Sequence, residues 1–136
     1  MASLAWLVGD WVEESGDTRT TISCKFNATK TYLLRTIQVE QAGRVVFSGE
    51  QSIGWDAASE QFRSWMFDLD GGRTEGDWHQ EDNAWVVDAT GVSADGKQSS
   101  STRVYESLGP NEFSVESTNG LSDGDQMPDF KKTFSR

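Results

Sequence analysis

The sequence predicts an all-β domain, an antiparallel up-and-down barrel of about ten strands with one short helical turn at the N-terminus. Two observations carry that expectation. Apolar and polar residues alternate with period two in short runs from Asp10 to Arg136, and clusters of Gly, Asn, Asp and Ser interrupt them every ten residues or so. No stretch carries the helical periodicity that a crossover between parallel strands would need, so consecutive strands pair as a meander. Closing the meander into a barrel removes the exposed edges that an open sheet of this width would leave.

The densest part of the pattern, and the part that organises the rest, is Ser48 to Trp78. Val45 to Trp55 is strand-like, Asp56 to Glu60 turns it, and Gln61 to Phe67 returns rich in aromatics. Asp70-Gly71-Gly72 reverses the chain again toward Trp78. Before this meander, Leu4 to Val8 is an apolar turn that Ser3 is placed to cap and Gly9 to end. Asp10 to Glu14 is the first strand, and Thr18 to Phe26 sets Thr20, Ile22, Cys24 and Phe26 opposite Arg19, Thr21, Ser23 and Lys25. Asn27 to Lys30 is a turn, and Tyr32 to Glu40 alternates again. After Trp78 come strands at Ala84 to Val92, Gln98 to Glu106 and Glu112 to Thr118, with Asp95-Gly96 as a two-residue hairpin signal between the first two. Asn119 to Asp129 reads as a loop, and Phe130 to Arg136 as the last strand.

A chain of 136 residues fits one domain, residues 1–136, large enough for one core. Six Trp, seven Phe and two Tyr offset a hydrophobic content of only 35%. The net charge of −10 would repel a phosphate backbone or an anionic lipid surface, so nucleic acid and membrane are not expected partners. The single cysteine, Cys24, lies in a strand-like alternation and reads as a small half-buried side chain. Met1 to Val8 lacks a basic region and a long apolar stretch, which makes a cytoplasmic location the expectation.

Gly9-Asp10-Trp11, after an apolar turn and at the start of a strand, resembles the Gly-x-Trp signature of the calycin superfamily, which includes lipocalins and fatty-acid-binding proteins. The resemblance implies a lipocalin-like barrel in which a basic side chain of the last strand packs over Trp11. Arg136 is the candidate, with Lys131 or Lys132 as substitutes. A longer set of residues is similar to a bacterial domain of unknown function often found C-terminal to a SnoaL-like domain. It comprises Leu4 to Trp11, Ser48-Gly49-x-Gln51-x-Ile53-Gly54-Trp55-Asp56, Ser64-Trp65-x-Phe67-Asp68-x-Asp70-Gly71-Gly72 and Glu75-Gly76-x-Trp78. That resemblance implies a SnoaL-like neighbour in a longer protein and no activity. Arg103-Val104-Tyr105 resembles the Arg-x-Tyr pair that holds a ligand carboxylate in fatty-acid-binding proteins.

Residues two apart on a strand share a face, so Arg103 and Tyr105 point into the barrel together or out of it together. Outward is the commoner facing for such residues, whereas an inward arginine would need an anion or a buried carboxylate. Arg35 raises the same question, and Arg63 is ambiguous between faces. Trp65 and Trp85, with Trp55 and Trp78, are either pocket wall or plain core. His79, the only histidine, reads as a surface residue, and no nucleophile motif accompanies it. Asp68 to Gly72 only begins like a calcium loop, because the bidentate Glu position falls on His79, so no metal or cofactor is expected.

The candidate ligand-binding residues are therefore Arg103, Tyr105, Arg35, Trp65 and Trp85, with Trp11 and Arg136 as barrel-closing residues and no catalytic set. The expected function is a binding module for a small apolar or amphipathic molecule. The alternatives are an isomerase- or cyclase-like enzyme accessory enclosing a reactive intermediate, and a purely structural or partner-binding domain with a filled core.

Overall fold

The computed structural model describes all 136 residues, Met1–Arg136. A 3-10 turn, Ala2–Leu7, precedes strands β1 (Gly9–Ser15), β2 (Thr18–Phe26), β3 (Tyr32–Gln41), β4 (Arg44–Asp56), β5 (Gln61–Asp68) and β6 (Arg73–Glu81). Then follow β7 (Ala84–Val92), β8 (Gln98–Gly109), β9 (Glu112–Ser122), β10 (Asp125–Gln126) and β11 (Phe130–Ser135). Each strand from β1 to β9 pairs antiparallel with the next, and β11 lies between β9 and β1. The result is a closed antiparallel barrel of ten strands, with the two-residue β10 as a spur on β9. No helix is long and apolar enough to cross a membrane.

Two local expectations are corrected. Residues 119–129 are not one loop, because β9 continues to Ser122 and β10 folds back on it in a hairpin turned at Asp123-Gly124, which leaves Met127, Pro128 and Asp129 as the link to β11. Asn119 and Gly120 break the alternation, but Leu121 and Ser122 still pair with Ser100 and Ser99 of β8, so tertiary pairing overrides weak local preference. Asp95-Gly96 is not a two-residue hairpin either. The connection runs from Ser93 to Lys97, whose backbones bond to each other, and Ser93 Oγ accepts a further bond from the Lys97 N–H.

Alternation decides what lies inside. One end of the barrel is packed solid by Leu4 and Leu7 of the 3-10 turn, Trp11, Leu33, Ile53, Trp78, Trp85, Phe113 and Phe134, all buried. Each buried leucine there contributes about 1.5–3 kcal/mol through removal from water. Phe113 is the hub of this end, edge-on to Trp11 at 4.7 Å and stacked on Phe134 at 5.1 Å. Trp78 satisfies its indole N–H on Ser64 Oγ at 2.9 Å. Gly76 leaves room for this pair, since a side chain there would press on Ser64 Oγ and Val87.

The 3-10 turn is fixed by tertiary contacts instead of a cap. Ser3 makes no capping bond, and Met1 is the N-cap. Trp11 instead donates its indole N–H to Leu7 O at 3.0 Å. The Arg136 guanidinium lies over the Trp11 ring, 4.1 Å from its centroid, and donates to Val8 O at 2.8 Å and Pro110 O at 2.7 Å. Lys132, the expected substitute, points elsewhere, into the barrel toward Glu13.

Candidate ligand-binding site

β1 runs away from the packed end and β2 returns to it, so inward residues late in β1 and early in β2 line the opposite half of the barrel. The same reasoning, strand by strand, places Val39, Phe47, Asp68, Thr74 and Phe130 around that half. There the side chains do not meet. They enclose a cavity of about 330 Å³ whose wall is mostly apolar, with Ile22, Ile37, Val39, Phe47, Met66 and Val115 among its residues. Larger grooves of about 480 and 560 Å³ lie elsewhere, lined mainly by polar side chains of β6–β9 and of β1–β3. They gather no buried charge.

The inner end of the cavity is built from Arg35, Gln51 and Tyr105. Arg35 and Gln51 are direct cross-strand partners on β3 and β4, and the Arg35 guanidinium donates to Gln51 Oε1 at 3.0 Å. It also reaches Tyr105 Oη at 3.4 Å across the barrel, with its central carbon 5.6 Å from the Tyr105 ring centroid. Arg35 is only 2% exposed, its Nε has no partner, and no carboxylate lies within ion-pair distance of it. A buried guanidinium held by neutral groups alone keeps much of its desolvation cost.

Arg103 lines the same cavity from β8, two residues before Tyr105. Burial pushes the Tyr105 phenol up, but the charges of Arg35 and then Arg103, together with their hydrogen bonds to it, outweigh burial and leave the phenol more acidic than a free tyrosine. Cys24 sits opposite Arg35 on β2, where burial raises the thiol and the Arg35 charge partly offsets that. Asp68, on the cavity wall at the far end of β5, titrates above the usual carboxylate range because of burial first and the Asp70 charge second.

Of the sequence-derived candidates, Arg35, Arg103 and Tyr105 come together, and the outward facing expected for Arg103 and Tyr105 is corrected. Trp65 and Trp85 do not line the cavity. Ser64 and Met66 take the inward positions of β5, so Trp65 faces out, where the Arg63 guanidinium covers it at 5.8 Å. Trp85 does face inward, but in the packed end, edge-on to Phe62 at 5.7 Å. Trp55 is 51% exposed. Arg63 also lies outside, bonded to Asp77 at 2.8 Å, and His79 sits on the surface beside Glu81.

Sequence reading missed Gln51, Thr20, Glu13 and the cavity role of Lys132. Gln51 was legible in principle, since it alternates with the apolar Ile53 on the inward face of β4. The others look like ordinary solvated strand positions until the barrel closes around them.

No protein-family model matches the chain, and no curated protein matches it either.

Proposed function

We propose that this chain is a lipocalin-like binding module whose ligand is a small amphipathic acid, with its anionic group at Arg35 and its apolar part along the cavity toward the open half. The observation that carries this reading is Arg35 itself. Its buried guanidinium has no carboxylate partner, retains a free Nε and abuts an apolar cavity of about 330 Å³. A ligand carboxylate would supply the missing counter-charge and accept charge-assisted bonds from Arg35, with Tyr105 Oη and Arg103 within the same cavity end. The Trp11–Arg136 closure supports the lipocalin-like comparison. A SnoaL-like neighbour in a longer protein is part of the same proposal.

Isothermal titration with decanoate and decanol on the wild type and on Arg35→Met tests the reading. The wild type is expected to bind decanoate at least tenfold more tightly than decanol, and the variant to lose that preference without a fall in melting temperature, because it removes an uncompensated buried charge. Equal binding of acid and alcohol by the wild type would overturn it.

A second reading, proton transfer on the bound acid, is favoured by the acidified phenol of Tyr105 between two guanidinium groups. It predicts deuterium uptake at the carbon next to a bound carbonyl in heavy water, abolished by Tyr105→Phe. No uptake above the buffer rate would exclude it.

A further inference from the structure

We propose that the cavity has a second polar subsite, formed by Thr20 with Glu13 behind it, and that the ligand therefore carries a hydroxyl at its far end as well as an acid group. This rests on the reading of Arg35 above. Glu13 and Thr20 face each other directly across β1 and β2 and are 6% and 5% exposed. Glu13 Oε1 accepts a bond from Ser15 Oγ, but Glu13 Oε2 and Thr20 Oγ1 have no hydrogen-bond partner in the protein. Lys132 Nζ stands 3.9 Å from Glu13 Oε2, close enough to neutralise its charge and too far for a good hydrogen bond. Thr20 and Lys132 both line the cavity, and Glu13 stands behind them, next to Thr20 across the β1–β2 ladder.

Two buried polar atoms left unpaired on facing residues are costly, and the pair specifies what would relieve them. A carboxylate oxygen needs a donor, and a threonine hydroxyl both donates and accepts. A ligand hydroxyl can donate to Glu13 Oε2 while accepting from Thr20 Oγ1. An ammonium fits less well, because Lys132 already supplies the positive charge. Thr20 lies four residues along β2 from Cys24, the residue opposite Arg35, which separates the two polar ends by roughly 13 Å of strand. The ligand class is thus a medium-chain hydroxy acid, bound with its two ends in chemically opposite surroundings.

The test is isothermal titration of the full chain with decanoate, ω-hydroxydecanoate and ω-aminodecanoate, on the wild type, Thr20→Val and Thr20→Ser. The hydroxy acid is expected to bind the wild type about tenfold more tightly than decanoate, the worth of one ordinary hydrogen bond. That preference should vanish in Thr20→Val and return in Thr20→Ser. Should the valine variant fail to fold, Thr20→Ala gives the same contrast. Decanoate binding with no gain from the hydroxyl, or a gain that survives the loss of the Thr20 hydroxyl, overturns the subsite and leaves the Arg35 reading intact. Equal or tighter binding of the amino acid overturns the hydroxyl assignment. Failure of all three probes to bind overturns the Arg35 reading and this inference with it.

Discussion

The guanidinium of Arg136 fills the space that a side chain on Gly9 would need. Gly9 has φ of +134°, a backbone region in which L side chains are strained, and the last residue of the chain crosses it to reach Trp11 and Val8 O. The glycine and the tryptophan two residues later are therefore one device: the first makes room for the cation that the second holds.

Gly9→Ala is expected to cost about 2–3 kcal/mol through backbone strain and displacement of Arg136, and Arg136→Ala about 1–2 kcal/mol through lost hydrogen bonds and cation–π contact. The two losses should overlap. Urea unfolding of both single variants and the double variant should give a double loss smaller than the sum by at least about 0.5 kcal/mol, and strict additivity would contradict the shared space.

Ser64→Ala leaves the buried Trp78 indole N–H without its acceptor. The expected loss is about 1–3 kcal/mol, large for removal of one hydroxyl. A loss under about 0.5 kcal/mol would mean that the indole finds another acceptor.

Tyr105 should ionise below the free tyrosine value, visible as phenolate absorbance that Tyr105→Phe removes. In the window between the folded and unfolded values the native chain has already released the proton that the unfolded chain still holds. Stability should therefore rise with pH through that window in the wild type and stay flatter in Tyr105→Phe. A single phenolate transition at the free value would contradict the two-arginine environment.

Asp68 behaves in the opposite sense. Its folded value is raised, so its contribution is present at acid pH and is lost as pH rises through that value. Asp68→Asn should raise the melting temperature at neutral pH and change it little in acid. Because Asp68 shares the cavity with Arg35, the same variant should also bind decanoate about two- to fivefold more tightly.

Much of the strand order was legible because it depends on local alternation and turn residues. Thr18 to Phe26 and Ala84 to Val92 were read with their observed bounds. The facing of Arg103 and Tyr105 was less legible, since alternation says that two residues share a side but not which side. That is settled by the apolar partners around them, such as Phe113 and Val115 on the adjoining β9. Trp65 misled because large aromatics suggest an interior, yet the small Ser64 holds the inward position that the Trp78 indole requires. Glu13 and Thr20 were invisible as a pair, because their burial exists only once β11 closes over β1 and brings Lys132 beside them. The resemblance of Gly9-Asp10-Trp11 to a Gly-x-Trp signature rests, by contrast, on two residues whose physical role the Arg136 contact explains.

β11 joins β1 through one ladder pair, Val12 with Ser135, whereas β2 and β3 are matched from Thr18 to Phe26. That short seam ties residues at opposite ends of the chain, so closing it costs loop entropy before the Trp11–Arg136 contact returns any of it. The consequence is kinetic: neighbouring strands can zip early from local turns, and completion waits on a single distant meeting. The refolding rate should therefore respond most to substitutions at Val12, Ser135 and Arg136, and the seam should be the first place where amide hydrogens of the native barrel exchange with solvent.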